Sequence, residues 1–141
     1  MAFSDFIQRI YYSVMGTNPV IGTPIREQLD VLKERLPQEF KHRQMDDLGC
    51  GDGKVTLLLK EIFEPSSLRG FDVHGGLVRR ARKRGIKADV KDLQYQVPGG
   101  ELAVMWGVLH HLKDIEPCLK NISENYNMAF IREPIKTKRI D

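Results

Sequence analysis

The stretch Asp46-Asp47-Leu48-Gly49-Cys50-Gly51-Asp52-Gly53-Lys54 decides how the rest of the chain is read. It lies between a short run suited to a strand and a helical pattern that begins near Lys54. Glycine at such a turn lets the backbone bend tightly and lets a ligand approach with no side chain in the way, while the helix beyond offers unpaired N–H groups. Two phosphate-binding patterns are excluded. The dinucleotide fingerprint needs glycine three positions after Gly51, where Lys54 stands, and the P-loop needs a second glycine, lysine and Ser/Thr at a spacing that is absent. The loop therefore suits a nucleoside without a pyrophosphate.

Working outward, short apolar runs alternate with longer helical ones. Met45–Gly49 is a strand poor in propensity, Lys54–Phe63 a helix, Leu68–Asp72 a strand, and Gly76–Arg84 a helix closed by Gly85. Ile86–Val90 and the strongly apolar Leu102–Val108 follow as strands, then a helix over Ile115–Asn125 and a strand over Met128–Arg132. Repeated strand and helix units imply an α/β chain with a parallel sheet covered on both faces, because parallel strands need crossover connections. Ahead of this core, Phe3, Phe6, Ile7, Ile10, Tyr11 and Val14 recur at spacings of three and four, which predicts an amphipathic helix over 3–15. Ile25, Leu29, Leu32 and Leu36 form the stripe of a second helix, with Pro24 in its first turn and Pro37 as its stop.

Composition fits one domain: 141 residues, 41% hydrophobic and 29% charged, with a net charge of +3 that does not imply nucleic acid. Cys50 and Cys118 read as thiols, too few for a disulfide framework, which points to a reducing compartment. No apolar stretch approaches the 18 or more residues of a membrane span. Asp5 and Arg9 interrupt the first apolar stretch, unlike a secretory signal, so the expected location is cytoplasmic.

The segment Asp47–Gly53 closely resembles the first motif of the class I S-adenosylmethionine-dependent methyltransferases, roughly apolar-Asp-apolar-Gly-Cys-Gly-x-Gly. The likeness continues through Leu68–Ala81, where Asp72, 23 positions after Gly49, stands for the acidic residue that takes the ribose hydroxyls. Ala88–Leu93 resembles the third-strand segment, with Asp89 facing the adenine amino group, and Glu101–Leu112 resembles the fourth-strand segment of small-molecule members, with Glu101 where aspartate is usual. The resemblance implies a Rossmann-like fold with strand order 3-2-1-4-5. It implies S-adenosylmethionine as cofactor, S-adenosylhomocysteine as product, and a cofactor site of Asp47, Gly49, Cys50, Gly51, Gly53, Asp72, Val73, Asp89, Val90 and Trp106. Asp47 is expected near the methionine ammonium, where opposite charge favours its ionised form. Asp46 departs from the motif, which prefers an apolar residue there, so one of two adjacent carboxylates should point away from the cofactor.

For catalysis, His111 and His110 follow the fourth strand at the mouth of the expected site, histidine being the residue type suited to take a proton from an acceptor. The same pair also reads as a strand cap and a solvated side chain. Met105 and Trp106, in a strand buried on both faces, read as core. The seven basic residues between Arg79 and Lys91 suit either a phosphate backbone or a solvated helix face. The acceptor is expected to be a small molecule rather than nucleic acid, with no membrane involved.

The resemblance runs from about residue 40 to 134, which divides a single domain into N-terminal helices (1–40), a core (41–134) and a basic tail (135–141). The two strands that usually follow the fifth are missing. Met128–Arg132 is thus expected to be an apolar edge, which soluble proteins cover or pair. A homodimer or a partner subunit would cover it, or the chain is a fragment or a reduced form of the fold. The first helix would serve as a lid or as an interface. A methyltransferase of unidentified acceptor is the reading these segments favour, and a non-catalytic cofactor-binding or scaffold subunit is the alternative.

Overall fold

A computed structural model describes residues 10–12 and 25–133. Its elements are β1 (Ile10–Tyr12), α1 (Ile25–Arg35), β2 (Gln44–Leu48), α2 (Lys54–Phe63), β3 (Ser67–Asp72), α3 (Gly75–Lys83), β4 (Lys87–Val90), β5 (Gly100–Trp106), α4 (Ile115–Asn125) and β6 (Tyr126–Arg132). The expected five strands are β2 to β6, and they pair in parallel in the expected order, β4-β3-β2-β5-β6. Helices α2, α3 and α4 lie in the β2–β3, β3–β4 and β5–β6 connections, and residues 91–99 lead from β4 to β5 without a helix; with all five strands parallel, their carboxyl ends share one edge.

The chain's N-terminal segment corrects an expectation. Ile10–Tyr12 is the sixth strand of the sheet, not part of a helix, and pairs in parallel with β6 in the register Ile10↔Ala129, Tyr11↔Phe130, Tyr12↔Ile131. Residues 1–9 and 13–24, the rest of the expected first helix and the loop after it, lie outside the described residues, as does the basic tail. The physical reason for the strand is twofold. A β-branched and two aromatic residues in succession favour extended backbone, and the outer row of N–H and C=O groups on β6 is a template for a further strand. The edge expected to stay bare, and to call for a homodimer or partner subunit, is therefore paired by this chain itself. The opposite edge is β4, where charged Lys87 and Asp89 are exposed and the Ala88 carbonyl accepts a hydrogen bond from Arg82 Nε at 2.7 Å.

Strand alternation sorts the core into two faces. Met45, Leu102, Val104 and Phe130 point to the side covered by α1 and α2, where Leu29, Leu32, Leu59 and Phe63 meet them. Phe130 takes edge contacts from Phe40 and Phe63, at centroid distances of 5.7 and 5.4 Å. Leu48, Ala103, Met105, Ala129 and Ile131 face the other way, beneath Cys118 and Ile122 of α4.

On that second face sits Asp46, fully buried. Arg69 Nε and Nη2 donate to its two oxygens at 2.7 and 2.6 Å, Gln44 Nε2 donates at 2.6 Å, and the Tyr126 hydroxyl donates at 2.6 Å. Residues on β2, β3 and β6 thus converge on one carboxylate, and Arg69 Nη2 also donates to the Gly99 carbonyl ahead of β5. A buried charge is tolerable only when paired and hydrogen-bonded in this way.

Two outcomes follow from these contacts. Arg69→Met, which strands the Asp46 carboxylate, should lower the unfolding free energy in urea by about 3 kcal/mol, and Tyr126→Phe by about 1.5 kcal/mol. Deleting residues 1–12 should convert the chain to a self-associating species by light scattering, because the β6 edge is then unpaired.

Candidate cofactor and acceptor site

The carboxyl ends of β2 and β3 meet at the glycine loop. Gly49 and Cys50 both donate their N–H groups to the Phe71 carbonyl, at 2.7 and 3.0 Å, which ties the loop to the end of β3. Gly49 has a φ of +91°, and a Cβ there would lie 2.4 Å from Val108 Cγ2, so only glycine lets the turn after β5 close on the loop. At Gly51 a Cβ would meet nothing within 4 Å, which leaves the middle of the loop open to an approaching ligand.

Asp72 ends β3 and organises this loop. Its Oδ2 accepts from the Gly51 N–H and its Oδ1 from the His74 N–H, both at 2.9 Å. Each oxygen retains a lone pair for a further donor. Asp47, one residue from Asp46, points to the opposite face, where the Thr56 hydroxyl of α2 donates to it at 2.6 Å. Asp47 has no cation beside it among the described residues. Burial pushes its pKa up from 3.8 to about 6 against the lowering effect of the Thr56 hydrogen bond, with Asp72 adding to the rise. Burial, followed by Asp47 and Asp72, pushes the Cys50 thiol up to about 12, so it is no thiolate nucleophile at neutral pH. Burial likewise pushes Cys118 up to about 11.

Over these ends opens a cleft of about 430 Å³. Gly49, Asp72, Val73, Trp106 and His111, all expected site residues, line it together with His74, Leu77, Lys91, Asp92, Leu93, Gly107, Val108 and Leu112. Asp47, Cys50, Gly51 and Gly53 build the loop beside it without lining it. Asp89 and Val90 do not reach it. The Lys91 N–H bonds the Asp72 carbonyl at 2.9 Å, so the chain leaves β4 with Lys91, Asp92 and Leu93 on the cleft side. Asp89 instead meets Arg82 at 2.8 Å on the exposed flank of β4, in a separate recess with Val90, Arg69 and Phe71.

At the other end, the two histidine rings lie 3.9 Å apart, and only His111 lines the cleft. His110 Nδ1 is 2.8 Å from Glu133 Oε2. Glu133 Oε1 accepts from the Val108 and Leu109 N–H groups at 2.8 and 2.6 Å. Glu133 thus caps the turn that carries both histidines. Sequence reasoning missed Glu133 and Thr56; an acidic residue directly after the fifth strand, on the edge where ligands bind, was the available signal for the first. Among the described residues no group of three or more His, Cys, Asp or Glu could hold a metal ion, and no helix is long and apolar enough to cross a membrane.

Comparison with known proteins agrees with this architecture. The family described as "Methyltransferase domain" matches residues 47–126. The trans-aconitate 2-methyltransferase of Rhodococcus jostii is 34% identical over 77 residues, 55% of this chain and 28% of that protein. The U6 snRNA methylphosphate capping enzyme of Drosophila melanogaster is 38% identical over 56 residues, 40% of this chain and 18% of that protein. Among solved structures, an S-adenosylmethionine-dependent methyltransferase from Mesorhizobium loti superposes with a TM-score of 0.59 at 23% identity, over 78% of this chain and 53% of that one. The matched part is under a third of either curated relative and about half of the solved chain.

The raised pKa of Asp47 has a measurable sign. The unfolded chain releases this proton near 3.8 and the folded chain near 6, so stability falls as pH rises between those values and the full penalty persists above them. That difference corresponds to about 3 kcal/mol. Urea denaturation from pH 4 to 7 should show this decline in the wild-type chain and its loss in Asp47→Asn.

Proposed function

The chain belongs to the methyltransferase domain family, and we propose that it binds S-adenosylmethionine in the cleft above the glycine loop and methylates a small-molecule acceptor. The observation that carries this reading is the Asp72 carboxylate at the cleft wall, each oxygen already oriented by one backbone N–H and each able to accept one more bond. A carboxylate so held matches a vicinal diol, the recognition element of a ribose. The residues fit the rest of an adenosyl sulfonium as well. Val73, Leu77 and Leu93 give the cleft apolar surface for a purine, Gly51 leaves open space over the loop, and Asp47 is a buried carboxyl with no cation beside it among the described residues.

When bound, S-adenosylmethionine supplies a methyl group on a positively charged sulfur, and displacement at that carbon needs little beyond alignment of donor and acceptor. The protein's part is then to position and to manage charge and protons. Asp72 takes the ribose hydroxyls, and a ligand ammonium beside Asp47 favours its ionised form, reversing the effect of burial. His111 stands on the cleft wall as the base for an acceptor that must lose a proton, while His110, held by Glu133, supports it from behind through ring contact. Neither role is needed where the acceptor is already a nucleophile. The paired β6 edge removes the structural argument for an obligate partner subunit.

S-Adenosylhomocysteine at 100 times its dissociation constant adds about 2.7 kcal/mol and should raise the melting temperature by roughly 5 to 10 °C, whereas NAD should leave it unchanged. The opposite pattern would overturn the assignment. By calorimetry Asp72→Asn should weaken S-adenosylhomocysteine by about 1.5 to 3 kcal/mol. His111→Ala should leave that affinity intact and slow turnover of an acceptor that must be deprotonated.

A further inference from the structure

Beyond the adenosyl cleft, the end of β6 carries a guanidinium whose surroundings suit a ligand anion. Arg132 packs over the indole of Trp106, with its guanidinium carbon 4.7 Å from the ring centroid. Its Nη2 donates to the Gln28 side chain of α1, a neutral acceptor. No carboxylate lies within 4 Å of its nitrogens among the described residues, in contrast to Arg69, Arg82 and Arg84, each of which meets an aspartate. Glu133, the neighbouring acid, has its oxygens engaged by the Val108 and Leu109 N–H groups and His110. Burial lowers the Arg132 pKa from its usual value, with Glu133 acting in the opposite sense. A cation drawn partly out of water is normally matched by an anion.

Position tells what that anion belongs to. The Arg132 carbonyl accepts the Gly107 N–H at 2.7 Å. A Cβ on Gly107 would lie 3.9 Å from Arg132 Nη1 and 3.8 Å from His110 Cε1. Trp106, Gly107 and His111 line the cleft; Arg132 does not line it, but its guanidinium lies directly beside Gly107 and Trp106 at the ends of β5 and β6. The fixed, stacked geometry of this guanidinium is the kind that recognises a planar oxyanion.

We propose that Arg132, braced by Trp106 and Gln28, binds an oxyanionic group of the methyl acceptor, a carboxylate or a phosphate, and so restricts the enzyme to acidic small molecules. The inference rests on the methyltransferase reading for the word acceptor, but the anion site itself does not. Trp106 is the chain's single tryptophan, so its fluorescence reports on the guanidinium stacked against it. Succinate and methyl phosphate would be titrated separately into the full chain saturated with S-adenosylhomocysteine, with succinamide as the neutral control. A saturable change in the millimolar range with either anion, and none with succinamide, is the expected result; which anion responds identifies the oxyanion. Arg132→Gln should weaken the response at least tenfold, and Arg132→Lys should restore part of it. S-Adenosylhomocysteine affinity, measured in parallel, should be equal in all three proteins, which separates loss of the anion site from misfolding. No saturable change in the wild-type chain, or an equal one in Arg132→Gln, overturns the proposal. Failure of S-adenosylhomocysteine to bind overturns the methyltransferase reading instead, and the same titrations without it still decide the anion site.

Discussion

Two consecutive carboxylates on a buried strand are the constraint from which the rest of this structure follows. Strand geometry sends Asp46 and Asp47 to opposite faces, and both are taken out of water. Asp46 is matched by a guanidinium, an amide and a phenol, so it binds neighbouring strands together. Among the described residues Asp47 is matched by the Thr56 hydroxyl and by no cation. One face of β2 therefore spends its charge on the fold, and the other keeps an unmatched acid beneath a glycine loop. The asymmetry is a distribution of cations: Arg69 is on the Asp46 side, and among the described residues no cation meets Asp47. Burying Asp47 in this way costs the folded chain stability once the carboxyl is ionised.

Periodicity and the glycine loop were enough to place the strands from β2 to β6 and the helices α2 to α4, because these depend on local patterns. What escaped depends on distant pairs. The partners of Asp46 lie at 44, 69 and 126, and no local rule links Tyr126 to a carboxylate 80 positions away. The need for glycine at position 49 is set by Val108 across the sheet rather than by the turn alone. Ile10–Tyr12 carries a 3.6-residue pattern in its surroundings, and the unpaired edge of β6 overrode it. Asp89 stands at a motif position, and its pairing with Arg82, seven residues earlier on α3, is a contact that motif spacing does not report.

The far end of the site shows how side chains beyond a strand can shape the turn before it. Glu133 follows β6 and yet caps the turn after β5, holding two backbone N–H groups and His110 with one carboxylate. Arg132 does the complementary work on the other face, resting on Trp106 and reaching α1 through Gln28. The consecutive pair Arg132-Glu133 thus splits a cation and an anion across the sheet edge, the mirror of the consecutive acids on β2. Loop, cleft and histidines are consequently attached to strands at both ends.

The pairing of Ile10 with Ala129 also orders events in time. A ribosome delivers β1 more than a hundred residues before the strand it needs, so the segment must wait while the intervening sheet assembles. Closing so long a loop costs only slightly more than closing one half its length, by about 0.6 kcal/mol per doubling, but non-local contacts slow the search for the native state. β2, β3 and β4 pair between neighbours in sequence, whereas β5 must return past β3 and β4 to pair with β2, and β1 needs β6, which the chain supplies last. As long as β1 is undocked the outer edge of β6 is unpaired, and an open apolar edge is the feature that exposes a folding chain to association.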